Sequence, residues 1–189
     1  MRSPPLRPLL LRFTAPPSAA FLIDQSWAYG VAVACSVVEF WGGLVAAPEL
    51  KRGVAAWGGG ALLLAGAAVM WLGQAVRSTG MATAGFGFTH LVQDQRREGH
   101  QLVTHGIYSV LRHPGYTGWF YASIATQVLL GNPACVVLYA IAAQRFFAHR
   151  IPREEFRLFR MFQGQYLAYR DHTLVLIPGI PDPLAPVRG

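Results

Sequence analysis

Residues 54–76 read VAAWGGGALLLAGAAVMWLGQAV, and this stretch decides the fold class because it contains no ionisable side chain. At ~1.5 Å per residue, an α-helix of this length crosses the ~30 Å hydrocarbon core of a bilayer. The glycines at 58–60 and Gly66 let a second helix approach closely. The triple glycine lacks the Lys and Ser/Thr of a phosphate-binding loop. The stretch therefore predicts a transmembrane helix.

The composition of the whole chain agrees with a membrane protein. Hydrophobic residues make up 53% of the chain and charged residues 13%, and the mean hydropathy of +0.33 exceeds that of an ordinary soluble domain. A formal net charge of +7 suits either nucleic acid or an anionic membrane surface. The basic residues lie in short connections between apolar runs rather than in one stripe. This pattern is typical of membrane topology, so we expect no nucleic-acid partner.

A second apolar run, residues 27–47, lies upstream and predicts another spanning helix. Glu39 is its only charged residue. A carboxylate at this depth normally faces protein or a cavity rather than lipid, so a functional and a structural role stay equally open. The first twenty residues contain three arginines, five prolines and no acid. They predict a disordered or truncated N-terminal segment, or a targeting extension.

Two shorter apolar segments, residues 119–131 and 134–147, lie downstream and are separated by Asn132-Pro133. As helices they would span only ~20 to 25 Å each. They predict a short helical hairpin, split where Pro133 removes a backbone donor.

The pattern changes again after Arg153. Aromatic residues recur there at helical spacing, with Glu155 expected on the opposite, polar face. This pattern predicts a C-terminal amphipathic interfacial helix that begins at Pro152, with Arg153, Arg157 and Arg160 at lipid headgroups. The closing LIPGIPDPLAP is too rich in proline for regular structure.

The predicted fold is therefore an all-α integral membrane protein with two spanning helices, a short helical hairpin split at Asn132-Pro133, and a C-terminal amphipathic interfacial helix. The basic amino terminus, residues 77–113 and the helix after Arg145 fall on one side of this arrangement. The positive-inside rule assigns that side to the cytosol. We expect the polar clusters to meet there.

The long polar connection, residues 77–113, is expected to be functional. It contains no nucleophile elbow. GFGF at 85–88 is only weakly similar to a dinucleotide-binding turn. Cys35 and Cys135 lie apart in apolar runs without neighbouring ligands, which predicts neither a metal site nor a disulfide framework. The remaining groups suit an enzyme that brings a water-soluble cofactor to a lipid-like substrate.

Five motifs follow one another in this part of the chain: HLVQ at 90–93, HQLVTHGIYSVLRHPGYTGWF at 100–120, TQVLLGNP at 126–133, RFFAHR at 145–150 and EEFRL at 154–158. In this order they resemble the core of the isoprenylcysteine carboxyl methyltransferase family, and weaker similarity extends back to about residue 21. RHPxYxG alone also resembles membrane sterol reductases. The family usually continues with Phe-Gly-x-x-Tyr, whereas here the glycine comes one residue later, at Gly164.

The resemblance implies an enzyme that uses S-adenosylmethionine to methylate the terminal carboxylate of prenylated, CaaX-processed proteins or of prenylcysteine. It implies an endoplasmic reticulum membrane, with the site facing the cytosol. Arg150 would bind the substrate carboxylate and Arg112 would order the corner before Pro114. The implied cofactor-binding residues are Gln93, His100, Gln101, Leu102, Val103, Tyr108, His113, Pro114, Gly115, Tyr116 and Glu154.

The implied domain organisation follows the same motifs. Residues 1–20 form the N-terminal segment and residues 21–77 the transmembrane helix pair. Residues 78–172 form the catalytic methyltransferase core with the hairpin, and residues 173–189 an irregular C-terminal tail.

The chemistry agrees with these roles. A terminal carboxyl group has an ordinary pKa of ~3.3 to 3.7, so the nucleophile is ionised at neutral pH and needs no general base. The protein has to position it in a site of low dielectric, which the fork of Arg150 suits. Glu154 suits the cationic amino group of the cofactor.

Other interpretations stay open from the sequence. Arg150 and Glu154 have the spacing of a simple interfacial ion pair, although Pro152 is expected to interrupt that helical register. A phospholipid-amine methyltransferase, an NADPH-dependent sterol reductase-like enzyme and a non-catalytic scaffold are the alternative functions.

Overall fold

The computed structural model describes residues 27–49, 51–52, 60–85 and 101–184. This part contains no β-strand, only an isolated bridge between Leu111 and Leu174, so the all-α prediction is confirmed for it. The predicted N-terminal segment, residues 1–20, lies outside the described residues. The helices are α1 (Trp27–Ala46), α2 (Ala61–Ala84), α3 (Pro114–Leu129), α4 (Pro133–Phe162) and α5 (Gly164–Asp171), with a 3₁₀ turn at Gly106–Ser109.

Glycines let α2 and α3 pack antiparallel. Gly66 lies against Val128 and Leu129, and a Cβ added at Gly73 would lie 2.7 Å from the Gly118 carbonyl oxygen. Close packing at Gly66 confirms the expected helix contact. Gly60 has another role, since it precedes α2 with φ +82°, a conformation that glycine adopts without strain.

The second predicted helix is displaced along the chain rather than lengthened. The sequence predicts it over residues 54–76, but α2 runs over Ala61–Ala84 after Gly60, so the first residues of the polar connection are helical. Residues 53–59 lie outside the described residues. The helix continues because Gly80 packs against Pro114 and no proline interrupts it before Gly85. Among the described residues, α2 alone has the length and apolarity to cross a bilayer, since the apolar part of α1, Gly30–Ala46, is shorter.

The predicted hairpin is present. Helices α3 and α4 are joined by a turn at 130–132, and Pro133 is the first residue of α4. Lys51 holds this turn by donating hydrogen bonds to the carbonyl oxygens of Leu130 and Gly131 and to Asn132 Oδ1.

Glu39 has a structural role at the same turn. Its carboxylate accepts hydrogen bonds from the backbone N–H groups of Ala134 and Cys135, at 2.9 and 2.8 Å. These are orphan donors at the amino end of α4, where the helix dipole favours a negative charge. The carboxylate therefore caps α4 from the neighbouring helix α1.

Helix α4 corrects two predictions. Its 30 residues run continuously through Pro152, so no separate helix begins there. Proline removes one hydrogen bond of the helix, but packing of the fully buried Ile151 keeps the segment helical. Glu155 is also buried at 2% exposure, whereas Phe156 is 48% exposed, so the expected polar and apolar faces are partly exchanged.

The amphipathic segment ends earlier than predicted. Gln163 breaks the helix between α4 and α5 with φ +46°. Within the described part of the chain, it is the one non-glycine residue with a positive φ. The pattern that the sequence resembles would place glycine at this position. The shift of glycine to 164 therefore leaves a side chain in a conformation that favours glycine.

The C-terminal segment, residues 173–184, lacks helix as predicted, but it is packed rather than loose. Ile177 is buried against Phe120 and Phe147, and Leu184 is buried against Phe162 and Tyr166. The segment thereby closes the end of the hairpin at which α3 begins.

Candidate active site

The corner before α3 is held by a short backbone pairing. The Arg112 N–H donates to the Leu174 carbonyl oxygen at 3.0 Å, and the Leu174 N–H donates to that of Val110 at 2.8 Å. Pro114 then begins α3, where its fixed φ suits the first helical position. The pairing fixes the direction in which Arg112 and His113 leave the backbone.

Tyr116 connects the corner to α4. Its hydroxyl donates a hydrogen bond to Glu154 Oε2 at 2.8 Å and accepts one from Arg150 Nε at 2.8 Å. The Arg150 guanidinium also lies 5.5 Å from the centroid of the Tyr116 ring. Because α4 is continuous, Arg150 and Glu154 are one turn apart, and the tyrosine hydroxyl bridges them. The arrangement is more specific than a simple surface ion pair.

His113 and Tyr116 form an aromatic wall beside this bridge. Their rings are stacked, with centroids 5.6 Å apart and planes 11° apart. His113 Nδ1 lies 3.9 Å from Glu154 Oε1. The structure thus brings together three groups expected at the cofactor site, and Arg150 joins them.

Glu155 is the central residue that the sequence interpretation missed. Its Oε1 accepts a hydrogen bond from Arg112 Nε at 2.8 Å and lies 3.3 Å from His113 Nε2. Its Oε2 lies 3.7 Å from Arg170 Nε. Burial alone raises the pKa of Glu155, but the hydrogen bond with His113 and the charges of His113 and Arg112 outweigh it and hold the pKa below its ordinary value.

A second layer supports Arg112 and Arg170. The Arg112 guanidinium donates to the carbonyl oxygens of Arg170 and Thr173, and Arg170 forms an ion pair with Asp182. These residues line a cleft of about 450 Å³ closed on one side by the C-terminal segment. Arg112 therefore orders the corner through both α4 and residues 170–173.

The other expected site residues are placed less closely. Tyr108, in the 3₁₀ turn, is partly buried near Glu154, and burial and that charge raise its pKa to about 12. Leu102 packs with Phe162 and Tyr166 rather than at the bridge. Val103 is partly buried and Gln101 exposed, while Pro114 and Gly115 are buried at the corner. Gln93 and His100 lie outside the described residues.

One sequence signal could have identified Glu155. It follows Ile151 by four residues and precedes Leu158 by three, so it lies on the row that packs inward. No such spacing pointed to Arg170, Thr173 or Asp182, because their partners are distant in the chain. Among the residues described, no cluster of three His, Cys, Asp or Glu side chains is placed to hold a metal ion.

Residues 65–160 match the family model of the isoprenylcysteine carboxyl methyltransferase family. Similar curated proteins are protein-S-isoprenylcysteine O-methyltransferases. That of Xenopus laevis is 42% identical over 161 residues, covering 85% of this chain and 54% of the relative. That of Dictyostelium discoideum is 42% identical, covering 86% and 66%. Form B of Arabidopsis thaliana is 40% identical, covering 79% and 73%.

A solved structure of the eukaryotic intramembrane Ras methyltransferase of this type superposes with a TM-score of 0.77 and 40% sequence identity. The match covers 86% of this chain and 56% of that one. This chain therefore spans a little over half the length of the Xenopus protein and of the solved structure. These matches do not favour a phospholipid-amine methyltransferase or a sterol reductase.

Proposed function

Because the chain belongs to the isoprenylcysteine carboxyl methyltransferase family, we propose that it methylates the C-terminal carboxylate of prenylated cysteine, with S-adenosylmethionine as the methyl donor. Its protein substrates would be prenylated, CaaX-processed chains. One observation carries the proposal: the Tyr116 hydroxyl joins a guanidinium and a carboxylate, Arg150 and Glu154, beside the aromatic wall of the corner.

The side chains present fit S-adenosylmethionine. A zwitterionic cofactor with an adenine ring needs a carboxylate for its ammonium group and aromatic surfaces for its ring. Glu154 is a partly buried carboxylate, with 27% of its side chain exposed, and the stacked His113 and Tyr116 rings lie beside it. We assign the pocket to the family positions Gln93, His100, Gln101, Leu102, Val103, Tyr108, His113, Pro114, Gly115, Tyr116 and Glu154. When bound, the cofactor supplies an electrophilic methyl group.

The role of Arg150 is to hold the acceptor. Its guanidinium is positively charged at any physiological pH and offers a planar fork of donors to a carboxylate. The hydrogen bond from Arg150 Nε to the Tyr116 hydroxyl fixes the side chain beside the corner, where the guanidinium would meet the substrate carboxylate. Because the carboxylate is already ionised, the residues position it and exclude water without removing a proton.

The arrangement of the helices supports a membrane placement. The end of α2, the start of α3 and the second half of α4 lie at the same end of the bundle, as Gly80 packs on Pro114 and Arg150 on Tyr116. We propose that this end faces the cytosol at the endoplasmic reticulum and that α1, α2 and the hairpin lie in the bilayer. Residues 21–77 would then be the membrane helix pair and residues 78–172 the catalytic core.

Binding and transfer test the proposal separately. Purified full chain in lipid nanodiscs should bind S-adenosylmethionine and transfer labelled methyl to farnesylcysteine. Since a hydrogen bond to a charged group contributes about 1.5 to 3 kcal/mol, Glu154→Gln should weaken cofactor binding roughly 10- to 100-fold. Arg150→Ala should keep cofactor binding and lose transfer.

Glu49→Gln is the matched control, because Glu49 is exposed and pairs with Arg52 far from the corner. It should leave binding and transfer unchanged. Failure of the wild type to transfer methyl, or full transfer by Arg150→Ala, would contradict the proposal. Stabilisation by NADPH rather than by S-adenosylmethionine would favour the reductase-like alternative.

A further inference from the structure

The outward side of α4 carries a set of basic residues that the proposed reaction does not use. We define the basic face of α4 as Arg145, His149, Arg153 and Arg160, all of which are exposed. At ~100° per residue these four side chains lie within about 80° of one another around the helix. They form one continuous surface rather than scattered charges.

The negative charges of α4 point away from this face. Glu154 binds the Tyr116 hydroxyl and Glu155 binds Arg112, so both carboxylates are engaged toward the corner. Both lie more than about 100° around the helix from the centre of the basic face. Among the described residues, Arg145 and Arg153 form no ion pair, so the face carries uncompensated positive charge.

The same face of the helix carries exposed apolar residues before Arg145 and after His149. Leu138 and Ile141, one to two turns earlier, are 41% and 48% exposed, and Phe156 is exposed among the basic residues. Exposed aliphatic residues followed by arginines and an aromatic ring are the pattern of a helix leaving the hydrocarbon core through the headgroup layer. A water-soluble acidic protein would offer no partner for Leu138 and Ile141.

We infer that the basic face of α4 binds the headgroups of anionic phospholipids. The aliphatic side chains would contact the acyl chains, while Arg145 and Arg153 would bind the headgroup phosphate and carboxylate. Arg145 is about 7.5 Å along the helix from Arg150 at ~1.5 Å per residue, so a bound headgroup would hold the carboxylate-binding arginine at the membrane surface. The inference rests on the proposed membrane placement but not on methyl transfer.

A binding measurement without cofactor tests this inference. The purified full chain, in neutral detergent, is titrated with short-chain phosphatidylserine or phosphatidylcholine of equal acyl length, and bound lipid is counted by native mass spectrometry. Phosphatidylserine should bind more tightly. Since each basic residue near an anionic surface contributes about fivefold, Arg145→Gln/Arg153→Gln should weaken phosphatidylserine binding roughly 25-fold and leave phosphatidylcholine unchanged.

Two control variants separate a site from net charge. Arg145→Lys/Arg153→Lys keeps the charge and should keep the preference, while Arg52→Gln removes an exposed charge elsewhere and should change nothing. Equal binding of the two lipids, or an equal loss in Arg52→Gln, would overturn the inference. An oligoglutamate peptide that binds as tightly as phosphatidylserine, with the same dependence on the two arginines, would also overturn it. Methyl transfer measured on the same samples reports independently on the proposed function.

Discussion

The middle of the bundle and its site end are held together by opposite means. Helices α2 and α3 meet at Gly73 and Gly118, where the absence of side chains lets the two backbones touch. At the site end, Glu155 contacts Arg112, His113 and Arg170 inside the protein. Helices in lipid gain little from apolar burial, so they depend on close backbone packing. Where the bundle meets water, paired charges can specify the arrangement of loops that packing alone would not fix.

The largest expected effect comes from filling the glycine contact. A Cβ at Gly118 would lie 2.8 Å from the Arg77 backbone nitrogen and even closer to the Gly73 carbonyl oxygen, neither of which can move without shifting α2. Gly118→Leu should cost more than about 3 kcal/mol, the upper end for overpacking, and prevent native assembly. Monodisperse yield and melting temperature in detergent measure it.

Gly42→Leu is the control for that change. Nothing lies within 4 Å of a Cβ at Gly42, so this variant should assemble normally. Equal behaviour of the two variants would show that close approach does not hold α2 to α3.

Removing one buried charge tests the opposite end. Glu155→Gln keeps the shape but leaves Arg112 and Arg170 without their shared carboxylate, and breaking a buried pair in this way costs about 3 to 5 kcal/mol. Glu49→Gln, at an exposed pair, should change the melting temperature little. A similar small change in both would mean that charge does not hold the site end.

The pH dependence sharpens the same test. Since the pKa of Glu155 is held below its ordinary value of 4.5, its contribution to the free energy of unfolding is complete above about pH 4.5. That contribution is lost as pH falls through the lower folded-state pKa. The melting temperature of the wild type should therefore fall more steeply below pH 4.5 than that of Glu155→Gln, and parallel curves would argue against the assigned pairing.

A smaller effect is expected at Glu39. This residue departs from the contrast above, because its carboxylate lies away from the site end, in the apolar helix α1. Glu39→Gln keeps a hydrogen-bond acceptor at the amino end of α4 but removes the charge that favours the helix dipole. The expected loss is about 0.5 to 1 kcal/mol. Thermal unfolding measures it, with Glu49→Gln as the reference, and a loss as large as that of Glu155→Gln would contradict a capping role.

The last expected effect is a gain, similar in size to the loss at Glu39. Gln163→Gly should relieve the positive φ between α4 and α5 and raise stability by about 1 kcal/mol, because this strain costs about 1 to 3 kcal/mol. Gln165→Gly, inside α5, should lower it instead. A decrease in melting temperature for Gln163→Gly would contradict the strain assignment.

The sequence predicts the apolar part of the fold better than the site end. Hydropathy locates α1, the body of α2 and the hairpin, and the glycine at 66 correctly indicates close packing. The prediction that a new helix begins at Pro152 is wrong, because buried neighbours override the tendency of proline to end a helix. The motif order brings His113, Tyr116, Arg150 and Glu154 into one region. Two partners of Glu155, His113 and Arg112, are instead 42 and 43 residues away in the chain and follow no period.

The length of the unbroken helix α4 can be compared with the thickness of the membrane. From Pro133 to Arg150 the axis rises about 25 Å, close to the ~30 Å of a hydrocarbon layer. One end of this rod is clamped by Glu39 and Lys51, and the other carries Arg150. If α4 lies in the bilayer as proposed, a thicker or thinner bilayer would change the tilt of the whole helix as the Arg150 guanidinium stays at the surface.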